Sequence, residues 1–360
     1  MTGAMYAGIS GMKAHMSKLN VIGNNIANVN TYGFKNARTT FRETIYTTIN
    51  SGSNGTTLTG GVNPNQLGYG CNVGTVDMDM ATATAVPTGV NLDCMIQGDS
   101  FFLVGDKEGV STDSLERLSL TKVGDFKFDP EGYLVDSSGN LVYGFVACNI
   151  TEDGTEVSTE AGFTGSPAFG TALVPIRLPM RDKGGKVLYP GYEPGSDTVK
   201  EAEMSADGGA DGGAVGRTTV NTDSITIDQG GKITATTTAG DPVVIGTLAL
   251  GKVDNSAGLT HISGPYYTVG EGAGSLYITT PNASSVGPYL NGVKEGDATE
   301  GAVSILQSSD TLLTGFLEGS GTDLATEFSE MITTQRGYQA NTRIITVTDS
   351  MLEELVNIKR

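Results

Sequence analysis

Tryptophan is absent from this chain of 360 residues, histidine occurs twice and cysteine three times. Each scarcity removes a class of chemistry. Cys71, Cys94 and Cys148 are odd in number, far apart and without a CxxC pair, so they indicate neither a disulfide framework nor a zinc site. Gly98-Asp99-Ser100 resembles the start of a serine-esterase nucleophile block, but no Asp-x-x-His accompanies it. His261 follows Leu259-Thr260 in a loop, and His15 is expected on the polar side of a helix. Gly98-Asp99 reads more simply as a turn ahead of Phe101-Phe102. No GxxxxGK[ST] phosphate loop follows a strand. No enzymatic activity, cofactor or metal is expected.

Long apolar runs are also missing, so no transmembrane helix is expected. The first residues lack the basic start, apolar block and small-residue cleavage site of a secretory signal. Basic runs of the nucleic-acid type do not occur, and a formal net charge of −18 argues against binding to a phosphate backbone. DNA and RNA are poor candidate partners.

Glycine is abundant: 51 of 360 residues is about twice the usual share and suits short strands joined by tight turns. The length fits two or three domains. The two ends differ from everything between them. In residues 4–29, Met5, Ile9, Met12, Met16 and Leu19 alternate four and three apart, and Ile22, Ile26 and Val29 continue with a shifted phase. In residues 323–358, Leu324, Phe328, Met331, Gln335, Tyr338, Thr342, Ile345, Asp349 and Leu352 lie on the same register, apolar for most of its length. Stripes of that width predict two helices that seek a partner helix. Charge agrees with the pairing. Residues 1–42 carry +5 with no acidic residue, residues 323–360 carry −2 and the middle carries −21.

The fold class expected is mainly β with α-helical termini, the paired end helices coiled-coil-like and carrying inserted antiparallel β domains. The first helix is expected to end near Asn28 to Gly33, where asparagine side chains compete for backbone hydrogen bonds and glycine supplies a positive φ. An extended or irregular stretch from Phe34 to Ile49 follows, then a Ser/Gly/Asn/Thr-rich loop or arm over 50–70. A type I turn is predicted at Asp129-Pro130-Glu131-Gly132, a reversal at Ser138-Gly139-Asn140 and a hairpin turn at Asp228-Gln229-Gly230-Gly231. The expected division is a helical assembly core of 1–72 and 305–360, an inner β domain of 73–148 and 281–304, and an outer β domain of 149–280. The run Asp207-Gly208-Gly209-Ala210-Asp211-Gly212-Gly213 is one imperfect copy of a calcium-turn pattern and reads as a surface loop.

The terminal segments are also familiar. Met12-Lys13-Ala14-His15, and then Leu19 through Gly23-Asn24-Asn25-Ile26-Ala27-Asn28-Val29-Asn30-Thr31-Tyr32-Gly33-Phe34-Lys35, resemble the N-terminal signature of the bacterial flagellar rod and hook proteins. Asp323 to Asn341, with Gln335-Arg336-Gly337-Tyr338-Gln339-Ala340 at its centre, resembles their C-terminal signature. Ile96-Gln97-Gly98-Asp99 with Phe101-Phe102 is similar too. Within that family the size of the middle and Gly61-Val62-Asn63-Pro64-Asn65-Gln66-Leu67-Gly68-Tyr69-Gly70 look more like the hook protein than a rod protein. The resemblance implies a self-assembling extracellular tube, a homopolymer that transmits torque as a flexible joint. It implies export through the flagellar type III apparatus without a cleavable signal, and contact with hook-cap, distal-rod and hook–filament junction proteins. The alternatives are a rod subunit or, from another class, a secreted β-domain adhesin.

Overall fold

A computed structural model of the chain describes residues 2–55, 60–106, 118–150, 173–178, 224–236, 242–281 and 310–358. It also describes short strand segments at 157–158, 168–169, 180–181, 187–188 and 216–217. The Asp207–Gly213 run lies outside the described residues. The chain forms two compact units, one of residues 1–79 and 320–360 and one of residues 80–319.

The terminal unit is built on two helices, α1 (Thr2–Ala27) and α2 (Leu324–Ile358). Helix α1 stops where the sequence predicts. Asn28 makes the last i→i−4 backbone bond, to Asn24 O at 3.2 Å, and adds side-chain bonds: its Nδ2 donates to Asn24 O at 2.9 Å and its Oδ1 accepts from Thr31 Oγ1 at 3.1 Å. Gly33 then turns the chain at φ 66°, a conformation that a Cβ disfavours. Helix α2 begins at an N-cap: Asp323 Oδ1 accepts from Ala325 N at 3.0 Å and its Oδ2 from Thr326 Oγ1 at 2.6 Å. The Thr326 bond first, then the backbone bonds, hold the Asp323 carboxyl below its ordinary range.

Two antiparallel ribbons complete this unit. Strand Ala37–Glu43 pairs with Cys71–Met78, with a register shift between Thr39 and Phe41. Strand Tyr46–Asn50 pairs with Asn65–Gly68. The expected loop of 50–70 is therefore partly a hairpin: the Thr48–Gln66 side-chain bond at 3.2 Å and the Ser53–Val62 bridge give its polar residues cross-strand partners.

The regular structure of the middle unit's described residues is β, apart from 3-10 turns at Ser224 and Ser256–Gly258. Strand Leu141–Ile150 pairs with both Phe101–Gly105 and Pro242–Leu248, and Phe101–Gly105 pairs in turn with Leu250–Val253. One sheet of fifteen strands results, spanning segments on both sides of residue 148. Strands Thr311–Thr314 and Phe316–Glu318 return to pair with Cys94–Gln97 and Ala85–Pro87. The predicted turns are present. Gly132 N donates to Asp129 O at 3.0 Å with Gly132 at φ 84°, and Gly231 N donates to Asp228 O at 2.8 Å. Strand Phe101–Gly105 is covered on both faces, so Phe101, Phe102 and Val104 are fully buried in succession, as are Leu134, Ile176 and Ile245 on other segments.

Candidate functional site

The esterase-like triplet is a structural clip. Ser100 is fully buried, its hydroxyl donates to the Asp310 carboxylate, and its backbone N–H donates to the same oxygen at 3.2 Å. Lys122, also buried, donates to Gly98 O at 2.8 Å. These bonds hold the sequence-distant segments of the middle unit together. Burial, then the Asp93 charge, pushes the Cys94 thiol well up, which keeps it unreactive. No group of three or more His, Cys, Asp or Glu that could hold a metal exists among the described residues. No described helix is long and apolar enough to cross a membrane.

The features that remain lie on the helix pair. Gly8 faces Asn341 and Ile345, Gly11 faces Asn341, His15 faces Gly337, Lys18 pairs with Glu330 at 2.9 Å, and Asn25 Nδ2 donates to Glu327 Oε1 at 2.8 Å. Rising numbers on α1 meet falling numbers on α2, so the helices run antiparallel. The α1 contact positions, with Ile22 included, are spaced three and four apart: 8, 11, 15, 18, 22, 25. On α2 the matching line is Glu327, Thr334, Asn341 and Thr348, seven apart, of which Glu327, Thr334 and Thr348 are buried.

Most of this line is one position away from the apolar stripe on each helix; Ile22 on α1 and Ile345 on α2 belong to both. Small residues let the two backbones approach closely; a Cβ on Gly11 would stand 2.7 Å from Asn341 Nδ2. Buried polar groups then need partners, and Asn25 is satisfied threefold. Its Nδ2 donates to Glu327 and to Ala37 O at 2.9 Å, and its Oδ1 accepts from Ala37 N at 3.1 Å. One signature asparagine thus ties α1 to α2 and to the first strand.

The sequence-predicted residues fall beside that line. Ile22 is buried; Met5, Ile9, Met12, Leu19 and Ile26 are partly buried; Met16 is exposed. On α2, Met331, Tyr338, Ile345 and Leu352 are partly buried, whereas Leu324 and Phe328 are exposed. Of the signature residues, Asn25, Gly33 and Lys35 are buried, and Asn28, Phe34 and Tyr338 are partly buried. Asn24, Ala27, Thr31, Gln335, Arg336, Gln339 and Ala340 are exposed. His15 is a correction. It does not face away from the helix partner but packs against α2 at Gly337, because the absent Cβ there leaves room for an imidazole.

A second apolar stripe escaped the sequence reading. Ile344, Val347, Met351, Leu355 and Ile358 recur three or four apart along α2 and are exposed, from 44% at Ile344 to 80% at Ile358. The spacing was visible, but a neighbouring register with Ile345 and Leu352 obscured it. Among all exposed large apolar residues described, only Val90 and Ile262 belong to the middle unit; the rest lie in the terminal unit.

Comparison with known proteins bears on the same segments. Residues 5–35 match the family described as flagella basal body rod protein, and residues 313–358 match the flagellar basal body rod FlgEFG protein C-terminal family. The chain is similar to the flagellar basal-body rod protein FlgG of Bacillus subtilis, 33% identical over 360 residues that cover 100% of both chains. It is 26% identical to the flagellar hook protein FlgE of Borreliella burgdorferi over 458 aligned residues, again covering both chains fully. Against the flagellar hook protein FlgE of Treponema pallidum, identity is 35% over 151 residues, 42% of this chain and 31% of that one. The chain belongs to the flagellar rod and hook protein family, whose members are structural components of the bacterial flagellum.

Proposed function

We propose that the chain is the hook subunit of a flagellum, a homopolymer that joins rod to filament and carries torque. The observation that carries this reading is the uncovered apolar surface of the terminal unit, above all the α2 stripe from Ile344 to Ile358. Copies of the same chain are the occupant: a four-three stripe on a helix fits another helix, in coiled-coil fashion, and a repeating subunit presents the same stripe at every step. At 1.5 Å per residue α2 is about 52 Å long, enough to reach several neighbours along a tube wall. The stripe residues Met5, Ile9, Met12, Met16, Leu19, Leu324 and Phe328 join the same contacts in this reading. The signature residues shape the turn after α1 and the outer face of α2. The polymer stands outside the cell, receives its subunits through the export apparatus, and meets rod, cap and junction proteins at its ends.

A second reading, a rod subunit, is favoured by the end-to-end match over 360 residues with a rod protein, since the full-length hook match spans 458 aligned residues. Immunogold labelling of isolated hook–basal bodies separates the two. Label on the curved segment outside the rod supports the hook, and label confined to the rod overturns it. Self-assembly is tested by replacing Val347, Met351 and Leu355 together with Ser. Pelletable polymer should be lost while the middle unit's thermal transition is unchanged; polymer at the parental level would remove the basis of the proposal.

A further inference from the structure

We propose that His15 is a proton-sensitive latch of the helix pair: neutral, it seats against Gly337 and closes α1 on α2, and protonated, it opens them. The seat is geometric. A Cβ at Gly337 would stand 2.7 Å from His15 Cε1 and 2.8 Å from Nε2, so the ring occupies the space that any other residue there would fill. On its other side the ring meets Phe41 edge-on, with centroids 5.4 Å apart and planes at 79°. The Nδ1 atom is buried and has no hydrogen-bond partner. A ring so placed has an aromatic edge on one side and a glycine backbone on the other, and its buried Nδ1 meets no protein acceptor that a proton there could use.

The surrounding charges oppose protonation. On α1 the nearest cation is Lys18, which also lies 6.0 Å from the Phe41 ring centroid. On α2 Arg336 adjoins Gly337, and the acid further along the pair, Glu330, is engaged by Lys18 at 2.9 Å. On the first strand Phe41 is uncharged, and its neighbour Arg42 is a further cation. Burial first, and Lys18 second, lower the His15 pKa from the ordinary histidine value. The sign follows. Helix pairing is at full strength above the unfolded value of about 6.5 and weakens as pH falls through it, because the unfolded chain binds the proton more readily. Mild acid, near about pH 5.5, is therefore expected to loosen the terminal unit before it titrates ordinary carboxylates.

The inference rests on the helix pair and, for its consequence, on the assembly reading. Far-ultraviolet circular dichroism and pelleting of the full-length chain, taken together between about pH 7.5 and about pH 5.5, test both. The parental chain should lose helical signal on acidification, with a severalfold rise in the unpelleted fraction; His15→Gln should hold both readouts steady, while His261→Gln should behave as the parent. Equal acid loss in parent and His15→Gln, or no loss in the parent, overturns the latch. A chain that never pellets yet shows the His15-dependent helical change leaves the latch standing and removes assembly instead. Should His15→Gln fail to fold, imidazole titration by NMR in the parental chain decides: proton uptake at or above the ordinary value overturns the proposal, and uptake below it, coincident with helix loss, supports it.

Discussion

Among the described residues the middle unit buries its large apolar side chains against one another, and the terminal unit leaves many of its own exposed. In the first, Phe101, Phe102, Leu103, Leu120, Tyr143 and Leu250 are wholly buried. In the second, Tyr6, Met16, Ile45, Ile49, Val356 and Ile358 are exposed by half or more. Two helices and two thin ribbons enclose too little volume, so apolar area worth about 25 cal/mol per Å² on burial stays in contact with water. An isolated two-stranded ribbon such as Tyr46–Asn50 with Asn65–Gly68 is marginal at best. The difference teaches how one chain divides its labour: the described residues of one part bury their own apolar side chains, and the other leaves apolar surface that, in the assembly proposed above, copies of the chain would cover.

The sharpest way to break that comparison is truncation. Removing residues 323–360 should abolish pelletable polymer while the middle unit keeps its cooperative thermal transition. A truncated chain that still forms tubes would mean that the helices are not the assembly surface. Next come substitutions in the two interiors. Phe102→Ala is expected to destabilise the middle unit by about 3–5 kcal/mol through cavity formation. Ile22→Asp puts an unpaired charge at a position only 2% exposed, which costs several kcal/mol. Separate melting of the two units, followed by near- and far-ultraviolet signals, should assign each loss to its own unit; a loss shared equally by both units would show that they fold as one. The smallest effect belongs to the ion pair. Lys18 and Glu330 are 23% and 47% exposed, so solvent screening leaves the bridge worth about 1 kcal/mol or less. Chemical denaturation of Glu330→Ala at low and high salt should show a small, salt-dependent loss; a loss as large as that of Ile22→Asp would place the pair in a far drier setting.

Much of the frame was legible along the chain. Turn chemistry is local, so Asn28, Gly33, the Asp129-Pro130-Glu131-Gly132 turn and the Asp228–Gly231 turn fall where their residues require. Apolar spacing identified both helices. The contact line was not legible, because periodicity locates the apolar face of a helix but does not say which neighbour covers it. In α1 and α2 the intrachain partner takes the adjacent line of Gly8, Gly11, His15 and Asn25 against Asn341, Gly337 and Glu327. Glycine carries no hydropathy signal, yet it permits the closest approach of two backbones.

What the sequence by itself determined is therefore the inventory of elements: two amphipathic end helices of opposite charge around a glycine-rich β middle. What only the tertiary structure decided is which residues each helix face meets. Ser100 meets Asp310 across 210 positions of chain, Asn25 meets Glu327 across 302, and His15 meets the bare backbone of Gly337. Local rules act over a few residues through dihedral preference and short hydrogen bonds. Contacts between distant segments are set by the shape and polarity left free once every local element has formed, and no spacing pattern records that.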